Sequence, residues 1–249
     1  MGILKSLFGS KSNKQPYDLS DLKVDMHSHL IPGIDDGSQS MEETIGMLLR
    51  FIELGYQKVI TTPHIMQDHY PNTPEIINRG LENVREEIKK LNIPISIEAA
   101  AEYYFDEFLF EKIKNKEILT FGENYVLFEF SFVSKPHSID QLIFDFKTNN
   151  YNPILAHYER YPYLFDDGMN YVQTLRDKGL KIQMNLNSLT GHYGKLIQKQ
   201  AEMLIDHKLV DFVGTDCHRI EHLSILEENL KGEYFHKLAD LDLLNRKLS

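Results

Sequence analysis

Residues 22–37 read LKVDMHSHLIPGIDDG, and this stretch decides how the sequence is expected to fold. A β-prone run at 22–26 leads directly into a His-x-His pair, His27 and His29, and then into Asp35-Asp36. Alternate residues of an extended strand point the same way, so the two histidines can face one centre. The stretch therefore predicts a strand whose carboxyl end carries metal-capable side chains.

The rest of the chain repeats this order of a β-prone run followed by a helical period. Apolar residues recur at i, i+3, i+4 and i+7 in 41–54 and again in 74–91, where Thr73 is the expected N-cap and Pro74 the first helical residue. The predicted strands are 22–26, 58–62, 95–100, 125–130, 153–156, 181–185 and 211–214. Further helices are predicted at about 106–117, 138–148, 169–178 and 194–207 and in the C-terminal part of the chain.

Seven strands that are each followed by a helix must run parallel, because every helix serves as a crossover. An open doubly wound sheet and a closed barrel both satisfy this pattern. The first strand is not followed by Gly-x-Gly-x-x-Gly, the signature of a dinucleotide-binding sheet. The residues at the strand ends favour the other solution, a single α/β domain at 21–249 that forms a distorted (β/α)7 TIM-like barrel. Residues 1–20 are polar and basic without periodicity, and are predicted to be a flexible N-terminal tail.

The composition excludes several classes of protein. With 27 basic and 37 acidic residues the chain carries a net charge of −10, which argues against nucleic acid as a partner. Its single cysteine, Cys217, excludes a disulfide framework and a multi-cysteine zinc site. The apolar stretches are far shorter than the ~20 residues that cross a bilayer, and no signal peptide is visible. These features predict a cytoplasmic protein that is not an integral membrane protein.

Metal-capable residues stand at the ends of six of the seven predicted strands. In a parallel barrel those ends all lie on one face, so residues nearly 200 positions apart converge in one cleft. The nine candidate ligands are His27, His29, one of Asp35 and Asp36, His64, Glu102, Glu129, His157, Asp216 and His218. Imidazoles and carboxylates without thiolates suit Mn, Fe or Zn, and nine ligands are enough for two or three bridged ions. Clustered metals hydrolyse phosphate esters, because they activate water and neutralise the phosphoryl oxygens.

Each of these residues taken singly has a plainer interpretation. Glu129 could pair with an arginine in the core, and His157 could be a hydrogen-bonded core histidine. Their coincidence in otherwise apolar runs favours a metal cluster, since uncompensated burial of so many polar groups would be costly. The remaining histidines are interpreted as loop or helix-face residues, of which His192 could line the mouth of the cleft; they are residues 69, 137, 192, 207, 222 and 236.

Cys217 is not expected to be a phosphatase nucleophile. The loop of cysteine phosphatases needs a histidine before the cysteine and an arginine six residues after it. Here Asp216 precedes Cys217, and Leu223 stands where the arginine should be. Strand alternation is expected to point Cys217 away from the metals.

Seven short motifs in a fixed order carry a resemblance to a known family. They are Asp25-Met26-His27-Ser28-His29, Asp35-Asp36-Gly37, Thr62-Pro63-His64, Ala101-Glu102-Tyr103-Tyr104, Phe128-Glu129-Phe130-Ser131, Ala156-His157-Tyr158-Glu159-Arg160-Tyr161 and Thr215-Asp216-Cys217-His218. With them the chain, from about Val24 to about Arg219, resembles the PHP (polymerase and histidinol phosphatase) superfamily. Within it, the chain is similar to the bacterial manganese-dependent protein-tyrosine phosphatases of capsule and exopolysaccharide systems, which the His-Tyr-Glu-Arg-Tyr stretch separates from the histidinol-phosphatase branch.

The resemblance implies a barrel of the PHP fold that holds three metals, with Mn²⁺ as the expected ion. By position, the implied ligands are His27, His29, Asp36, His64, Glu102, Glu129, His157, Asp216 and His218. Asp36, not Asp35, matches the family ligand, and Glu102 is the expected bridge. Arg160 corresponds to the phosphate-contacting arginine of the family, so Arg160 and Asp36 are the implied catalytic residues. A second family arginine, downstream of the Asp-x-His motif, has Arg219 as its nearest counterpart.

The reaction implied by the resemblance is hydrolysis of phosphotyrosine by a metal-activated hydroxide. The implied substrate protein is a membrane-associated tyrosine autokinase that controls polysaccharide export, which would also bring the phosphatase to the membrane periphery. The residues themselves support only phosphomonoester hydrolysis, so two alternatives stay open. One is a small-molecule phosphoesterase such as histidinol phosphatase, and the other is a non-catalytic metal-binding module that docks on a kinase.

Overall fold

The structure, a computed structural model, describes residues 15–165 and 168–248. Within these ranges nine strands pair in parallel and form two sheets. In chain order the strands are β1 Val24–Asp25, β2 Lys58–Thr61, β3 His64–Ile65, β4 Ser96–Ala99, β5 Glu102–Tyr104, β6 Tyr125–Glu129, β7 Asn152–Leu155, β8 Lys181–Asn185 and β9 Phe212–Gly214. One sheet has the order β1-β2-β4, and the other has the order β3-β5-β6-β7-β8-β9.

All seven predicted strands are confirmed, and two of them continue into a second, shorter strand. Pro63 stands between β2 and β3, where its missing N–H interrupts the ladder, and two alanines separate β4 from β5. Across these interruptions the backbone N–H of Ala100 donates to Thr61 O, and that of Glu102 donates to Pro63 O. The two strands therefore keep their pairing on both sides of the interruption. As a result, β3 and β5 place His64 directly opposite Glu102.

The helices also lie where the periodicity predicts them. They are α1 Met41–Glu53, α2 Pro74–Lys90, α3 Glu107–Asn115, α4 Ile139–Thr148, α5 Asn170–Asp177, α6 Lys195–Asp206, α7 Ile220–Asn229 and α8 Glu233–Lys237. The side chain of Thr73 caps α2 by accepting a hydrogen bond from the backbone N–H of Ile76, and Pro74 occupies the first turn, as expected. Across 15–165 and 168–248, no helix is both long enough and apolar enough to cross a bilayer.

The strands separate two apolar clusters. In β6, Val126 and Phe128 belong to the larger cluster, which packs against the helices, whereas Leu127 belongs to a smaller cluster together with Ile154. Because successive side chains of a strand point to opposite faces, Glu129 projects on the same side as Leu127. The smaller cluster therefore ends in polar side chains at the carboxyl ends of the strands, and these side chains form the site.

The packed part of the chain begins within the predicted N-terminal tail. Tyr17 and Leu19 are buried, the backbone N–H of Tyr17 donates to Leu230 O, and a short 3-10 helix covers Leu19–Asp21. Two buried apolar side chains hold this segment on the domain, so packing starts at Tyr17 and not at residue 21. Residues 1–14 of the predicted tail lie outside the described residues.

Candidate metal centre

The fold brings all nine predicted ligand side chains together at the carboxyl ends of the strands. Potential ligand atoms within 4.8 Å of one another form three overlapping groups, which are His29, Asp36, His64 and His218; His27, His29 and Asp216; and His64, Glu102 and Glu129. The ninth residue, His157, follows β7 and places its Nε2 atom 3.0 Å from Glu102 Oε1. The predicted convergence of distant strand ends is therefore what the structure shows.

Glu102 lies at the centre of this cluster. Its Oε2 atom is 3.1 Å from His27 Nε2 and 3.3 Å from His64 Nδ1, while its Oε1 atom faces His157. The neighbouring Glu129 places Oε1 3.3 Å from the same His64 Nδ1. Both oxygens of Glu102 therefore face imidazoles of the cluster.

The two adjacent aspartates after β1 take different positions. Asp35 is buried, and its Oδ2 atom accepts a hydrogen bond from His29 Nδ1 at 2.8 Å and another from the backbone N–H of His64. This bond directs His29 Nε2 towards the cluster. Asp36 is half-exposed, and its Oδ1 atom is 3.5 Å from His64 Nε2 and from His218 Nε2. Asp36 thus faces two imidazoles of the cluster, whereas Asp35 orients the ring of His29.

Two residues of the cluster have left-handed backbone conformations. His157 has a φ of 34° and Asp216 a φ of 51°, conformations that cost a residue other than glycine about 1–3 kcal/mol. The backbone N–H of Asp216 donates to His27 O, and that of His157 donates to Gln183 Oε1, both at 2.8 Å. With the backbone held in this way, Asp216 Oδ1 lies 3.3 Å from His27 Nε2 and 3.4 Å from His218 Nδ1.

The histidines of the cluster compensate the negative charge of some of its carboxylates but not of all of them. Burial alone would raise the pKa of Glu102, but His27 and His64 hold it well below its usual range. Burial, together with the carboxylates of Glu102 and Asp216, raises the pKa of Glu129 well above its usual range. Burial lowers the pKa of His157 to about 4, so this imidazole is neutral at pH 7, the form that binds a metal. Divalent cations would relieve the repulsion among the carboxylates.

The spacing of these atoms fits metal coordination. The buried atoms His29 Nε2 and His64 Nδ1 have no hydrogen-bond partner among the described residues. They nevertheless lie 3.5 Å and 3.3 Å, respectively, from Glu102 Oε2. Two ligand atoms that are each about 2.1 Å from one ion are themselves about 3.0–3.4 Å apart. The residues present therefore fit a divalent metal, and imidazole with carboxylate suits Mn, Fe or Zn.

An open cavity of about 270 Å³ leads to the cluster. Arg160 forms part of its wall, with Nη1 3.3 Å from Asp216 Oδ2. The guanidinium carbon lies 4.5 Å from the ring centroid of Phe132 and 4.6 Å from that of Tyr193. Burial would lower the pKa of Arg160, but Asp216 raises it, so the guanidinium keeps its charge. The cavity thus has the imidazoles and carboxylates of the cluster at its floor, and Arg160 with two aromatic rings in its wall.

Three further residues of the cavity wall bear on the sequence predictions. His192 lines the cavity, as predicted, and so does Arg219, the nearest counterpart of the second family arginine. His222 lies on α7, in agreement with the prediction of a loop or helix-face position, but that prediction does not include its burial. It is 6% exposed, lines the cavity, and accepts a hydrogen bond from Arg219 Nε through its Nε2 atom. The apolar neighbours of His222 in α7, which bury that face of the helix, explain the difference.

Other residues of the site carry no signal that a search for charged metal ligands detects. They are Phe132, Gln183, Asn185 and Tyr193. Gln183 and Asn185 stand at the end of β8, the one predicted strand whose end carries no histidine or carboxylate. Including amides among the candidate residues at strand ends would have identified both. Phe132 and Tyr193 come from loops without periodicity, and only the tertiary structure brings them to the cavity.

A parallel α/β fold that gathers imidazoles and carboxylates at its strand ends, with an arginine beside them, is the arrangement of a metal-dependent hydrolase. The comparison with protein families makes this class more specific. The chain belongs to the family described as capsular polysaccharide synthesis, CpsB/CapC, whose model matches residues 23–225.

Named proteins are similar to the chain over most of its length. It is 30% identical to the putative tyrosine-protein phosphatase CapC of Staphylococcus aureus over 240 residues, which cover 91% of this chain and 93% of CapC. It is 26% identical to the tyrosine-protein phosphatase YwqE of Bacillus subtilis (strain 168) over 226 residues, which cover 87% of this chain and 89% of YwqE.

The fold is shared with a solved chain from the crystal structures of YwqE from Bacillus subtilis and CpsB from Streptococcus pneumoniae, described as unique metal-dependent tyrosine phosphatases. The TM-score is 0.77 at 24% identity, and the match covers 91% of this chain and 95% of that chain.

Proposed function

We propose that this protein is a metal-dependent protein-tyrosine phosphatase that acts in capsular or exopolysaccharide synthesis. One observation carries the proposal: imidazole and carboxylate ligands surround Glu102 at the floor of a cavity whose wall holds Arg160. This combination suits a phosphomonoester, because metal cations and a guanidinium can both bind its negatively charged oxygens. The family description and the names of the relatives support phosphotyrosine as the substrate and capsule synthesis as the setting.

The proposed cofactor is Mn²⁺, in two or three ions, with Fe or Zn as alternatives. Bound in the cluster, divalent cations activate water and neutralise the charge of the phosphoryl oxygens. Glu102 is the proposed bridge, because its two oxygens face different imidazoles. The proposed ligands are His27, His29, Asp36, His64, Glu102, Glu129, His157, Asp216 and His218.

Arg160 and Asp36 are the proposed catalytic residues, since both face the cavity. The planar guanidinium of Arg160 can donate two parallel hydrogen bonds to a phosphoryl group, and Asp216 and two aromatic rings hold it in place. The carboxylate of Asp36 is half-exposed beside His64 and His218, where an entering phosphoryl group would meet it. Tyrosine leaves as a phenolate of pKa about 10, which needs less protonation than a serine alkoxide.

Aromatic side chains at the cavity favour a substrate with an aromatic ring. Phe132 is 44% exposed, stacks on Tyr161 with ring centroids 5.4 Å apart, and lines the cavity together with Tyr193. An exposed phenyl ring at the entrance can pack against the ring of phosphotyrosine, whereas histidinol phosphate presents a smaller, more polar imidazole.

Phe132→Ala is expected to raise KM for a phosphotyrosine peptide by about 2- to 10-fold, the equivalent of one aromatic contact of ~0.5–1.5 kcal/mol. Inhibition by inorganic phosphate, which has no ring, is expected to change less than KM for the peptide, because Asp216 and Tyr193 still hold Arg160. Phe144→Ala is the matched control, because Phe144 is 61% exposed on α4 and does not line the cavity. Steady-state kinetics on both variants and on the wild type measure KM and the inhibition by phosphate. An unchanged KM in Phe132→Ala would remove this ring from the substrate site.

Cys217 points away from the cluster, as strand alternation predicts. Its Sγ atom lies 3.6 Å from Met47 Sδ in α1, and its side chain is fully buried. Burial raises the pKa of the Cys217 thiol well above its usual range, so the thiol is protonated at pH 7. A buried, protonated thiol is inert as a nucleophile, which supports metal-based chemistry.

We expect Cys217→Ser to keep kcat/KM on an aryl phosphate within about threefold of the wild type, because the thiol takes no part in the reaction. Initial rates at saturating Mn²⁺, together with metal content, provide the measurement. A chelator should abolish the activity of both proteins equally. A folded, metal-loaded Cys217→Ser protein without activity would contradict this expectation.

For the fold, the proposal is a distorted (β/α)7 barrel of the PHP type, in which the two sheets form one closed wall. Two contacts support closure. β2 runs on into β3, and β4 into β5, which joins the sheets on one side. On the other side Ser28, beyond β1, forms a parallel bridge with Cys217, beyond β9.

The proposed substrate protein is a membrane-associated tyrosine autokinase, with the phosphatase in the cytoplasm and reaching the membrane through that partner. The capsular polysaccharide family to which the chain belongs supports this setting. A net charge of −10 supports the expectation that nucleic acid is not a partner.

The proposed function is tested by comparing substrates at a fixed metal concentration. The protein is stripped with a chelator, reloaded with Mn²⁺, and assayed on a phosphotyrosine peptide and on histidinol phosphate. We expect peptide hydrolysis to disappear on chelation, to return with Mn²⁺, and to exceed hydrolysis of histidinol phosphate. A preference for histidinol phosphate would favour the small-molecule phosphoesterase. A metal-loaded protein inactive on both substrates would favour the non-catalytic module, against which the presence of every expected ligand argues.

A further inference from the structure

Strand β8 supplies two buried amide side chains to the underside of the metal cluster. Gln183 and Asn185 are both 0% exposed and stand two residues apart, so they face the same side of the strand. Their spacing repeats that of His27 and His29, but neither amide belongs to the proposed ligands. Buried amides need hydrogen-bond partners, and these two find theirs in each other and in three of the proposed ligands.

The orientation of both amides follows from one backbone group. The N–H of His157 can only donate, and it lies 2.8 Å from Gln183 Oε1, so this atom is the amide oxygen. Gln183 Nε2 must then donate to Asn185 Oδ1, at 2.9 Å. Asn185 Nδ2 in turn donates to Asp216 Oδ2, at 2.7 Å. A single chain of donors and acceptors thus runs from one proposed ligand to another, with no freedom to reverse.

The same chain determines how His27 presents its ring. Gln183 Oε1 also lies 3.1 Å from His27 Nδ1, which must carry the hydrogen because the amide oxygen accepts. His27 Nε2 is then left to face Glu102 and Asp216, on the metal side. At the other end of the chain, Asn185 occupies Asp216 Oδ2 and leaves Oδ1 pointing at the imidazoles.

We propose that Gln183 and Asn185 are positioning residues of the metal centre, which set the tautomer of His27, hold the left-handed backbone of His157, and turn Asp216 Oδ1 towards the metals. The inference rests on the proposed function only in that the cluster binds metal. It extends the site to β8, so that all seven predicted strands contribute to it. Partners of this kind typically change metal affinity by 10–100-fold when they are removed, because they set the direction and basicity of the ligands.

The experiment measures Mn²⁺ binding directly, by titration of the folded apoprotein, and needs no substrate. Gln183→Met and Asn185→Leu remove the amides at similar volume, and each is expected to raise the Mn²⁺ dissociation constant about 10- to 100-fold. Asn185→Ser makes the same test with a milder change in packing. Circular dichroism and the melting temperature of the apoproteins establish that each variant is folded.

Two buried amides elsewhere in the fold provide matched controls. Asn245 bonds to the backbone of Val213 and Val24, so Asn245→Leu is expected to lower the melting temperature without changing Mn²⁺ affinity. Gln200, buried on α6, allows Gln200→Met to be compared with Gln183→Met. A purely structural role of the β8 amides would make all of these variants alike, whereas the proposal requires only those on β8 to weaken metal binding.

Dissociation constants within twofold of the wild type in folded β8 variants would overturn the proposal and leave the proposed phosphatase intact. Failure of the wild-type protein to bind Mn²⁺, Fe or Zn would instead contradict the proposed function. A second test uses the wild-type protein. With Zn²⁺ bound, side-chain ¹⁵N NMR is expected to show His27 protonated at Nδ1. A proton on its Nε2 would overturn the proposal as well.

Discussion

Replacement of Glu102 by glutamine is expected to lower kcat/KM on a phosphotyrosine peptide by at least about 1000-fold. Loss of the proposed bridging carboxylate would remove several kcal/mol of metal-based stabilisation, at ~1.4 kcal/mol for each tenfold change in rate. The amide has almost the same volume but no charge. Glu102 lies at the centre of the cluster, where it contacts three other proposed ligands, His27, His64 and His157. The measurement combines steady-state kinetics with metal content by elemental analysis.

The expected loss of activity is accompanied by a loss of bound metal. Glu123→Gln is the matched control, since Glu123 is exposed and does not line the cavity. Adding Mn²⁺ in excess should restore little activity to Glu102→Gln, because the charge of the proposed bridge is missing. A Glu102→Gln protein with full metal content and near-normal kcat/KM would remove Glu102 from the centre of the proposed site.

The second large effect is expected at Arg160. Arg160→Ala should lower kcat/KM by roughly 30- to 1000-fold, the equivalent of the ~2–4 kcal/mol contributed by one charge-stabilising donor in a transition state. Arg160→Lys should recover little, because an ammonium group cannot donate two parallel hydrogen bonds and does not stack on Phe132 and Tyr193 in the same way. Kinetics on a phosphotyrosine peptide at saturating Mn²⁺ provide the measurement.

An ion pair of purely structural importance predicts a different result. Arg160 pairs with the buried carboxylate of Asp216, so a structural role alone would lower the melting temperature or the metal content and leave the rate of the metal-loaded protein unchanged. Metal content separates the two interpretations, because Asp216 is also a proposed ligand. Arg79→Ala, at an exposed position of α2, controls for the loss of a positive charge. Normal kcat/KM in a fully metal-loaded Arg160→Ala protein would exclude a role in phosphate binding.

The pair Asp35-Asp36 illustrates the limit of prediction from the sequence. Both aspartates are equally able to bind a metal, and only the match to a family pattern selects Asp36. The structure adds the physical reason: Asp35 is buried against His29 Nδ1, whereas Asp36 faces the cavity between two other imidazoles. The direction of a side chain in a loop depends on contacts with distant residues, and local sequence does not encode it.

The N-terminal segment and β8 show the same limit. Tyr17 and Leu19 follow a polar, basic stretch and have no helical or strand period, so their burial beside Leu230 depends on a contact across more than 200 residues. Gln183 is neutral and therefore absent from a search for metal ligands, although it contacts His27, 156 positions away. In both places an ordinary residue type becomes important only through its distant partner.

The sequence by itself determined the order of strands and helices, the parallel sheet, and the residue types that meet at the strand ends. These properties follow from periods of two and 3.6 residues and from strand termini, all of which are local. Only the tertiary structure decided that Glu102 lies at the centre, that Phe132 and Tyr193 enclose Arg160, and that the amides of β8 form hydrogen bonds with residues at the ends of other strands. The reason is physical: distances and hydrogen-bond directions between residues far apart in the chain are set by packing, and no local pattern carries them.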